Sequence, residues 1–221
     1  MNNKFNLFVL STMLCSITNV NANTILSPIA AVASSEFSLV FGINNTINQS
    51  GLSSNFVSGV TDFDTYLAIN PTHSVLSSQN EWFTPEGIHS AQVNYDLGGI
   101  YNIDKLALWN EEASGIGAFN ISVSSDNTNF SLLSAGLMPF NNPLDSDYLA
   151  EVFLFGSTSA RYVRFDITDC PQANSIFDGC GIGEVAFSGE LSPIPVPAAL
   201  LLMASALGAF GLVGRRRNKL S

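Results

Sequence analysis

Basic residues are scarce in this chain. Lys and Arg together number 8, against 18 Asp and Glu. Five of these bases lie at the two ends of the chain, at Lys4, Arg215, Arg216, Arg217 and Lys219. Residues 23–191 therefore hold only Lys105, Arg161 and Arg164 against all 18 acids, a net charge of −15. Such a surface has little to replace phosphate counterions, which argues against nucleic acid as a partner, and it favours solubility and divalent cations.

Catalytic signatures are also absent from the sequence. It has no Gly-x-Ser-x-Gly elbow, no His-Glu-x-x-His pair and no phosphate-binding loop. The two histidines, His73 and His89, lack metal-ligand spacing. Glycoside hydrolysis needs only two carboxyl groups about 5–10 Å apart, but no large cleft-forming scaffold is indicated. The sequence favours a protein that is not an enzyme, with a glycan-active hydrolase as the less favoured alternative.

The first 22 residues are typical of a secretory signal peptide. Lys4 supplies the positive charge, residues 5–17 form an apolar stretch too short to span a bilayer, and Val20-Asn21-Ala22 offers small residues for cleavage. We therefore predict export, with the mature protein starting near Asn23.

The last thirty residues, 192–221, have a three-part pattern. Pro195 and Pro197 precede an uncharged apolar segment over residues 196–214, and a basic tail follows at residues 215–219. A helix of that length spans roughly 28 Å at ~1.5 Å per residue, close to a bilayer core of about 30 Å. The Arg cluster marks the cytoplasmic side. The pattern predicts one transmembrane helix at 196–214.

This tail resembles the PEP-CTERM sorting signal of Gram-negative bacteria, in its Val-Pro-Leu-Pro-Ala variant. The matching parts are Ile194–Ala199, the small-residue-rich segment Leu200–Val213, and Arg215–Arg217. Ile194 and Val196 depart from the family pattern. The resemblance implies recognition by an exosortase, a membrane-embedded cysteine protease that cuts near the Pro motif, and delivery to the surface or matrix of bacteria that build exopolysaccharide. A plain membrane anchor is the alternative.

Two cysteines remain after the signal peptide is removed with Cys15. Cys170 and Cys180 bracket a short loop-like segment. In an oxidising compartment, two such cysteines are expected to form a disulfide. Closing so short a loop contributes roughly 2.7 kcal/mol by chain-entropy arguments.

Between the two ends, the sequence alternates with a period of two. Apolar and polar residues alternate over 92–97, 119–124, 162–167 and 184–187, and more apolar runs occupy Leu106–Trp109 and Val152–Phe155, which we expect to be central strands. Turn clusters separate these segments, including Gly98-Gly99, Asp126–Asn129 and Asn141-Asn142-Pro143. The pattern predicts an all-β domain at 23–191, an antiparallel β-sandwich.

The order of motifs resembles the discoidin family, also called the coagulation-factor type C or galactose-binding-like domain. The matching segments are Asp96-Leu97-Gly98, Lys105–Asn110, Phe119–Asn127, Ala160–Phe165 and Gly183–Gly189. The likeness covers residues 25–191. It implies an eight-stranded jelly roll that binds glycans, or sometimes phospholipid or protein, through its end loops, and it implies no catalysis.

The same resemblance implies a structural Ca²⁺ between the first loops and the last strand. Glu184 occupies the position of the family's closing-strand Glu, and Asp62 and Asp64 lie in the first-loop region. Calcium needs several hard oxygen ligands, so we expect one of the two Asp residues to share an ion with Glu184. The alternative is that these acids are solvated loop residues.

Glycan sites in this fold combine an aromatic platform with polar side chains on the loops. The candidates in this sequence are His73, Trp82, His89, Trp109, Asn110 and Glu111. The two Trp residues are also candidates for packing in the core. The function predicted from sequence is an exported, exosortase-sorted module that binds polysaccharide, and the main alternative is a structural matrix protein with no small ligand.

Overall fold

The computed structural model describes residues 23–76 and 79–192. The predicted signal peptide, Pro195, Pro197, the helix predicted at 196–214 and Arg215–Arg217 lie outside these residues. Within the described part, no helix is long and apolar enough to cross a membrane.

The regular secondary structure of the described chain is almost entirely β. The helices are a 3₁₀ turn at Ile43–Ile47 and one short α-helix, α1, at Phe63–Ala68. The strands are β1 Thr24–Leu26, β2 Ala30–Ala33, β3 Thr72–His73, β4 Trp82–Phe83, β5 Ala91–Asn110, β6 Ala118–Ser124, β7 Ser131–Leu137, β8 Tyr148–Leu149, β9 Glu151–Asp169 and β10 Gly181–Leu191.

Two long antiparallel strands, β5 and β9, organise the fold. The main sheet runs β1-β10-β5-β9-β6-β7, with β2 paired to β5 and β4 paired to β10, while β3 and β8 form a separate ribbon. The first part of β5 pairs with β2 and with the end of β9. The second part pairs with β10 and with the start of β9. Each long strand therefore belongs to both layers of the sandwich.

The bend in β5 differs from the prediction at Gly98-Gly99. The sequence predicts a turn there between two strands, but the structure continues one strand through it, with a register shift between Asp96 and Tyr101. Gly98 has φ +80°, a conformation that most side chains disfavour. The glycines thus let one strand pass from the first layer to the second.

Strand β9 also joins two segments predicted as separate strands. Val152–Phe155 was expected to be central because it is apolar, yet Leu154 is 72% exposed and Val152 40% exposed. Phe153 and Phe155 pack against the core instead. The segment alternates like a half-buried strand, so its apolar character reflects only one buried face.

The core confirms the predicted antiparallel β-sandwich. Tyr95, Phe119, Phe165 and Phe187 are buried together between the layers, and their rings meet at centroid distances from 5.0 to 6.4 Å. Alternate residues along β5 and β9 supply this face, as the period-two pattern predicts. A second cluster around Trp109 packs β5 and β10 against α1 and β1.

Cys170 and Cys180 are disulfide-bonded, which confirms the sequence prediction. Their Cα atoms lie 5.1 Å apart, and both residues are buried. The bond closes the loop between β9 and β10, and the Cys180 N–H donates to Thr84 Oγ1 at 2.8 Å.

Replacing both cysteines by alanine is expected to lower the free energy of unfolding by roughly 2–3 kcal/mol, because the unfolded chain gains the loop entropy that the bond removes. Chemical denaturation of the wild type and the double variant measures this loss. Thiol labelling of denatured, non-reduced wild-type protein should find no free cysteine after export, and two labelled cysteines per chain would contradict the bond.

Candidate functional site

A cleft of about 280 Å³ lies at one end of the sandwich. Three connections form it: residues 111–117 between β5 and β6, residues 138–147 between β7 and β8, and residues 170–180 between β9 and β10. Its lining residues are Glu112, Asn141, Asn142, Pro143, Leu144, Ala173 and Asn174. One carboxyl group, three amides and a short apolar wall therefore meet on loops that a rigid sheet holds in place.

One buried side chain, Asn110, ties these three loops together. Its Nδ2 lies within hydrogen-bond distance of the Ile116 carbonyl (3.2 Å), the Phe140 carbonyl (3.1 Å) and Gln172 Oε1 (3.0 Å). Its Oδ1 accepts from the Ile116 N–H at 2.9 Å, and its carbonyl accepts from Asn142 Nδ2 at 2.7 Å. A partner in each of three loops makes Asn110 the hub of the cleft.

Gln172 and Gly115 complete this packing. Gln172 Nε2 donates to the Pro139 carbonyl at 2.7 Å, and its N–H donates to the Gly115 carbonyl at 3.0 Å. A Cβ on Gly115 would come within 2.7 Å of Gln172 Oε1 and would also crowd the Asn110 amide. The position therefore requires glycine for close approach rather than for an unusual φ.

Buried glutamates lie beside the cleft. Glu81, Glu111 and Glu112 are almost fully inaccessible, and each has one carboxyl oxygen with no donor among the described residues. The other oxygens are satisfied by backbone: Glu111 accepts from the Ala113 and Ser114 N–H groups, Glu81 from Asn80, and Glu112 from Leu76. Such groups are costly to ionise when buried.

Burial has a clear effect on the titration of these acids. Desolvation raises the pKa of Glu81 to about 8, and the neighbouring Glu112 adds to the shift. The pKa of Glu111 lies well above its ordinary value, first because of burial and then because of its hydrogen bond and charge interaction with Glu112.

His73 lies next to these acids and is fully buried. Its Nδ1 is 2.9 Å from both the Tyr148 hydroxyl and the Ser74 carbonyl, and 4.0 Å from Glu81 Oε1. A side chain at Gly51 or Gly183 would collide with the ring. Burial lowers the pKa of His73 to about 4 despite the acids around it, so the ring is neutral near pH 7.

The sequence matches the F5/8 type C domain over residues 53–180. This chain belongs to that family. The match covers the first-loop region, the long strands β5 and β9, and the three loops of the cleft. No curated protein matches the chain in sequence.

Solved structures share the F5/8 type C fold of this chain. A mutant form of chitosan-binding module 1 from a Paenibacillus sp. IK-5 chitosanase/glucanase is 19% identical, with TM-score 0.50 over 76% of this chain and 99% of that one. The CBM32-3 module of a Clostridium perfringens family 31 glycoside hydrolase is 15% identical, with TM-score 0.51 over 75% and 91%. A Bacteroides thetaiotaomicron putative chitobiase fragment is 15% identical, with TM-score 0.52 over 81% and 99%.

Most of the residues predicted to contact a glycan are buried within the domain. This applies to His73, Trp82, Trp109, Asn110 and Glu111. The indole N–H of Trp82 donates to the Ser35 carbonyl and that of Trp109 to the Pro71 carbonyl. As placed, neither indole offers a face to a sugar, and both pack in the core, as the packing interpretation of the sequence predicts. Trp82, Trp109 and Asn110 support the loops, because their polar side-chain groups already have partners inside the fold.

His89 is the exception among these candidates. Its side chain is 55% exposed, and Nε2 lies 2.6 Å from Asp178 Oδ1. It is not among the residues that line the cleft. The pair links the segment before β5 to the disulfide loop.

A different sequence feature could have identified the residues that line the cleft. The sequence predicts only a turn at Asn141-Asn142-Pro143. Phe140 directly precedes it and is 72% exposed. A large exposed aromatic ring beside consecutive amides in a loop is the pattern that points to such a site.

The predicted calcium shell is not formed by the described residues. Asp62 caps α1 by accepting from the Thr65 N–H at 2.8 Å, and Asp64 pairs with Lys105 at 2.7 Å. Asp62 bridges to Thr24, which lies opposite Gly189, five residues from Glu184 along β10. At ~3.3 Å per residue this is roughly 16 Å. No group of three His, Cys, Asp or Glu in residues 23–76 and 79–192 is arranged to hold a metal ion.

Of the three predicted calcium ligands, only Glu184 has a buried carboxyl oxygen without a hydrogen-bond donor among the described residues. It is buried, one carboxyl oxygen accepts from the Gln49 N–H at 2.8 Å, and the other has no donor among the described residues. Burial raises its pKa well above the ordinary value.

The buried acids predict how stability depends on pH. Glu81 keeps a proton when folded that the unfolded chain releases between about pH 4.5 and pH 8, so stability falls as pH rises through this window. Glu111 and Glu184 act in the same direction. The lowered pKa of His73 acts oppositely, and its contribution is lost as pH falls from 6.5 to about 4.

We expect the stability of the Glu81→Gln variant to decrease less than that of the wild type as the pH rises. The difference between its free energies of unfolding at pH 5 and pH 8 should be smaller than in wild type by at least about 1.4 kcal/mol, the value of one pKa unit. Glu86→Gln, at an exposed position, is the control and should follow wild type. Equal pH dependence in wild type and Glu81→Gln would show that Glu81 ionises normally in the folded protein.

Proposed function

We propose that this F5/8 type C domain is a non-catalytic module that binds polysaccharide through its end-loop cleft. The observation that carries the proposal is the lining of the cleft, where Asn141, Asn142 and Asn174 meet Glu112 and an apolar wall. Polar groups that converge on a shallow, partly apolar surface suit a ligand with both hydroxyl groups and C–H faces.

The free hydrogen-bonding groups match sugar hydroxyls. Asn141 and Asn142 each use the amide nitrogen for one backbone carbonyl, at 2.7 Å in both cases. Among the described residues, no donor reaches their Oδ1 atoms, so each amide keeps an acceptor and a second N–H. Phe140 directly precedes Asn141 and is 72% exposed; it does not line the cleft itself, but its ring would be available to stack on the apolar face of a pyranose that extends beyond the cleft.

The negative charge of the domain indicates which class of glycan it would bind. The exported part has a net charge of −15, and Glu112 lies in the cleft wall. An anionic polysaccharide would meet like charge, whereas a neutral or amino-sugar polymer would not. We therefore expect neutral or cationic glycans to bind better than polyuronates.

The family and the structural neighbours support a binding role. One neighbour is named as a chitosan-binding module and another as a CBM32 module. These names describe those proteins, and a shared fold at this identity does not carry a ligand across. They make the loop end of this fold a reasonable place for a glycan, and the residues of the cleft make the specific case.

Phe140→Ala and Asn141→Ala are each expected to weaken glycan binding at least about tenfold, or ~1.4 kcal/mol, because they remove the stacking surface and one polar contact. The full chain, in a detergent that contains no sugar, would be screened on an array of neutral, amino-sugar and uronate polysaccharides. Asn55→Ala, at an exposed asparagine outside the cleft, is the matched control and should bind as wild type does.

The other functions considered give different results in the same experiment. A purely structural matrix protein would give no selective signal on the array. A hydrolase would release reducing sugar from the bound polymer over time. If both cleft variants bind the glycan as tightly as the wild type does, the glycan does not bind in the cleft.

The two ends of the chain indicate where the protein is located. We infer export by the signal peptide at 1–22, and sorting of the tail at 192–221 by an exosortase after transient anchoring in the membrane. The triple-Arg end and the Pro motif support this assignment. The mature module would then work at the surface or in the extracellular matrix of a Gram-negative bacterium. A structural Ca²⁺ held by Glu184 remains part of the proposal.

If the tail is processed, mass spectrometry of the surface material should find a C-terminus between about Ile194 and Ala198. Replacing Arg215–Arg217 by neutral residues should weaken membrane retention, because charge no longer opposes translocation of the end. Mature surface protein that still ends at Ser221 would contradict processing and leave a plain anchor.

A further inference from the structure

A second pocket lies on the outer face of the first layer, away from the loop cleft. Along β5 the side chains of Val93 and Tyr95 point into the core, so Asn94 and Asp96 face outward. The register places Asn94 beside Arg164 and Asp96 beside Tyr162 on β9. The outer face of this layer is therefore a row of polar side chains rather than a featureless surface.

The pocket measures about 210 Å³. Val32 on the neighbouring strand β2 forms one wall, and Asn127 in the turn between β6 and β7 forms another. Asn94, Asp96 and Tyr162 lie between them. The volume is below the ~300–1,000 Å³ typical of drug-sized ligands, so it accommodates one polar ring rather than a long chain.

The pocket includes one acceptor without a donor and one carboxylate. Asn94 Oδ1 is buried and has no donor among the described residues. Asp96 is ionised, because the hydrogen bond from Arg161 lowers its pKa. Arg161 contacts it through Nε at 2.9 Å and through a terminal nitrogen at 3.0 Å. Asp96 Oδ1 also accepts from the Gly98 N–H at 2.8 Å, so both carboxylate oxygens are engaged, and Asn94 Oδ1 is the acceptor that a hydrogen-bond donor in the pocket would satisfy.

The aromatic member of the pocket is held in place. The Arg161 guanidinium carbon lies 5.0 Å from the ring centroid of Tyr162, so one side chain fixes both the carboxylate of Asp96 and this ring. The same pairing disfavours an ionic ligand, because the charge of Asp96 is already compensated. A neutral ring with several hydroxyl groups satisfies Asn94 Oδ1 and can pack on Tyr162.

We propose that this pocket binds one neutral sugar residue, as a second glycan site on the sheet face. It uses no residue of the end-loop cleft. Two sites on different surfaces of one module would let it join two polysaccharide strands or hold one strand at two points. The site goes beyond the proposed function and does not depend on which glycan fills the cleft.

The test is an NMR titration of deuterated, ¹⁵N-labelled full-length protein in sugar-free detergent, with glucose, galactose and N-acetylglucosamine as probes. At least one probe is expected to shift the signals of Asn94, Asn127 and Tyr162. Asn94→Ala should weaken this binding at least about tenfold. Val32→Tyr, which blocks the pocket from a position that is 66% exposed, should do the same. Val60→Tyr, at another exposed valine (73%), is the control and should leave it unchanged.

The outcomes separate this site from the cleft. Shifts that persist in the Phe140→Ala and Asn141→Ala variants and disappear in the two pocket variants support a second site. Shifts only at the cleft overturn the second site and leave the proposed function standing. Shifts at the pocket that neither pocket variant reduces show adventitious binding only, and overturn it as well.

Discussion

The candidate site depends on one buried amide. Asn110 ends β5, the longest strand of the sandwich, and its side chain contacts the three loops that form the cleft. None of these loops has regular structure to fix its position, so their relative placement comes from this network and from the disulfide behind it. Asn110 lies at the end of a rigid strand, and its hydrogen bonds hold the loop that carries Asn141 and Asn142 in place.

Burial raises the pKa values of Glu81 and Glu111, and the distribution of charge supplies no base to offset this. The three bases of residues 23–191 are engaged elsewhere, as Lys105 pairs with Asp64, Arg161 with Asp96 and Arg164 with Asp166. Glu81 and Glu111 therefore accept hydrogen bonds from backbone N–H groups rather than from a basic side chain.

The sequence pattern was sufficient for the fold class and weaker for the site. Period-two alternation predicted the strands because burial alternates along them, and the disulfide followed from compartment and cysteine count. The continuity of β5 through Gly98 was missed, because glycine marks a turn and a bulge equally. Trp109 looked like a sugar platform because composition alone does not show which face of a strand is covered. At Asn141 the sequence predicts only a turn, because the cleft is formed by three loops that lie far apart in the sequence.

A crystal structure of the protein with an oligosaccharide that it binds would test the central claim most directly. The account predicts a sugar ring against Phe140, with hydroxyl groups at the Asn141 and Asn142 amides and the Asn110 network unchanged from its present geometry. A sugar bound elsewhere, with the end-loop cleft empty at saturating ligand, would contradict it.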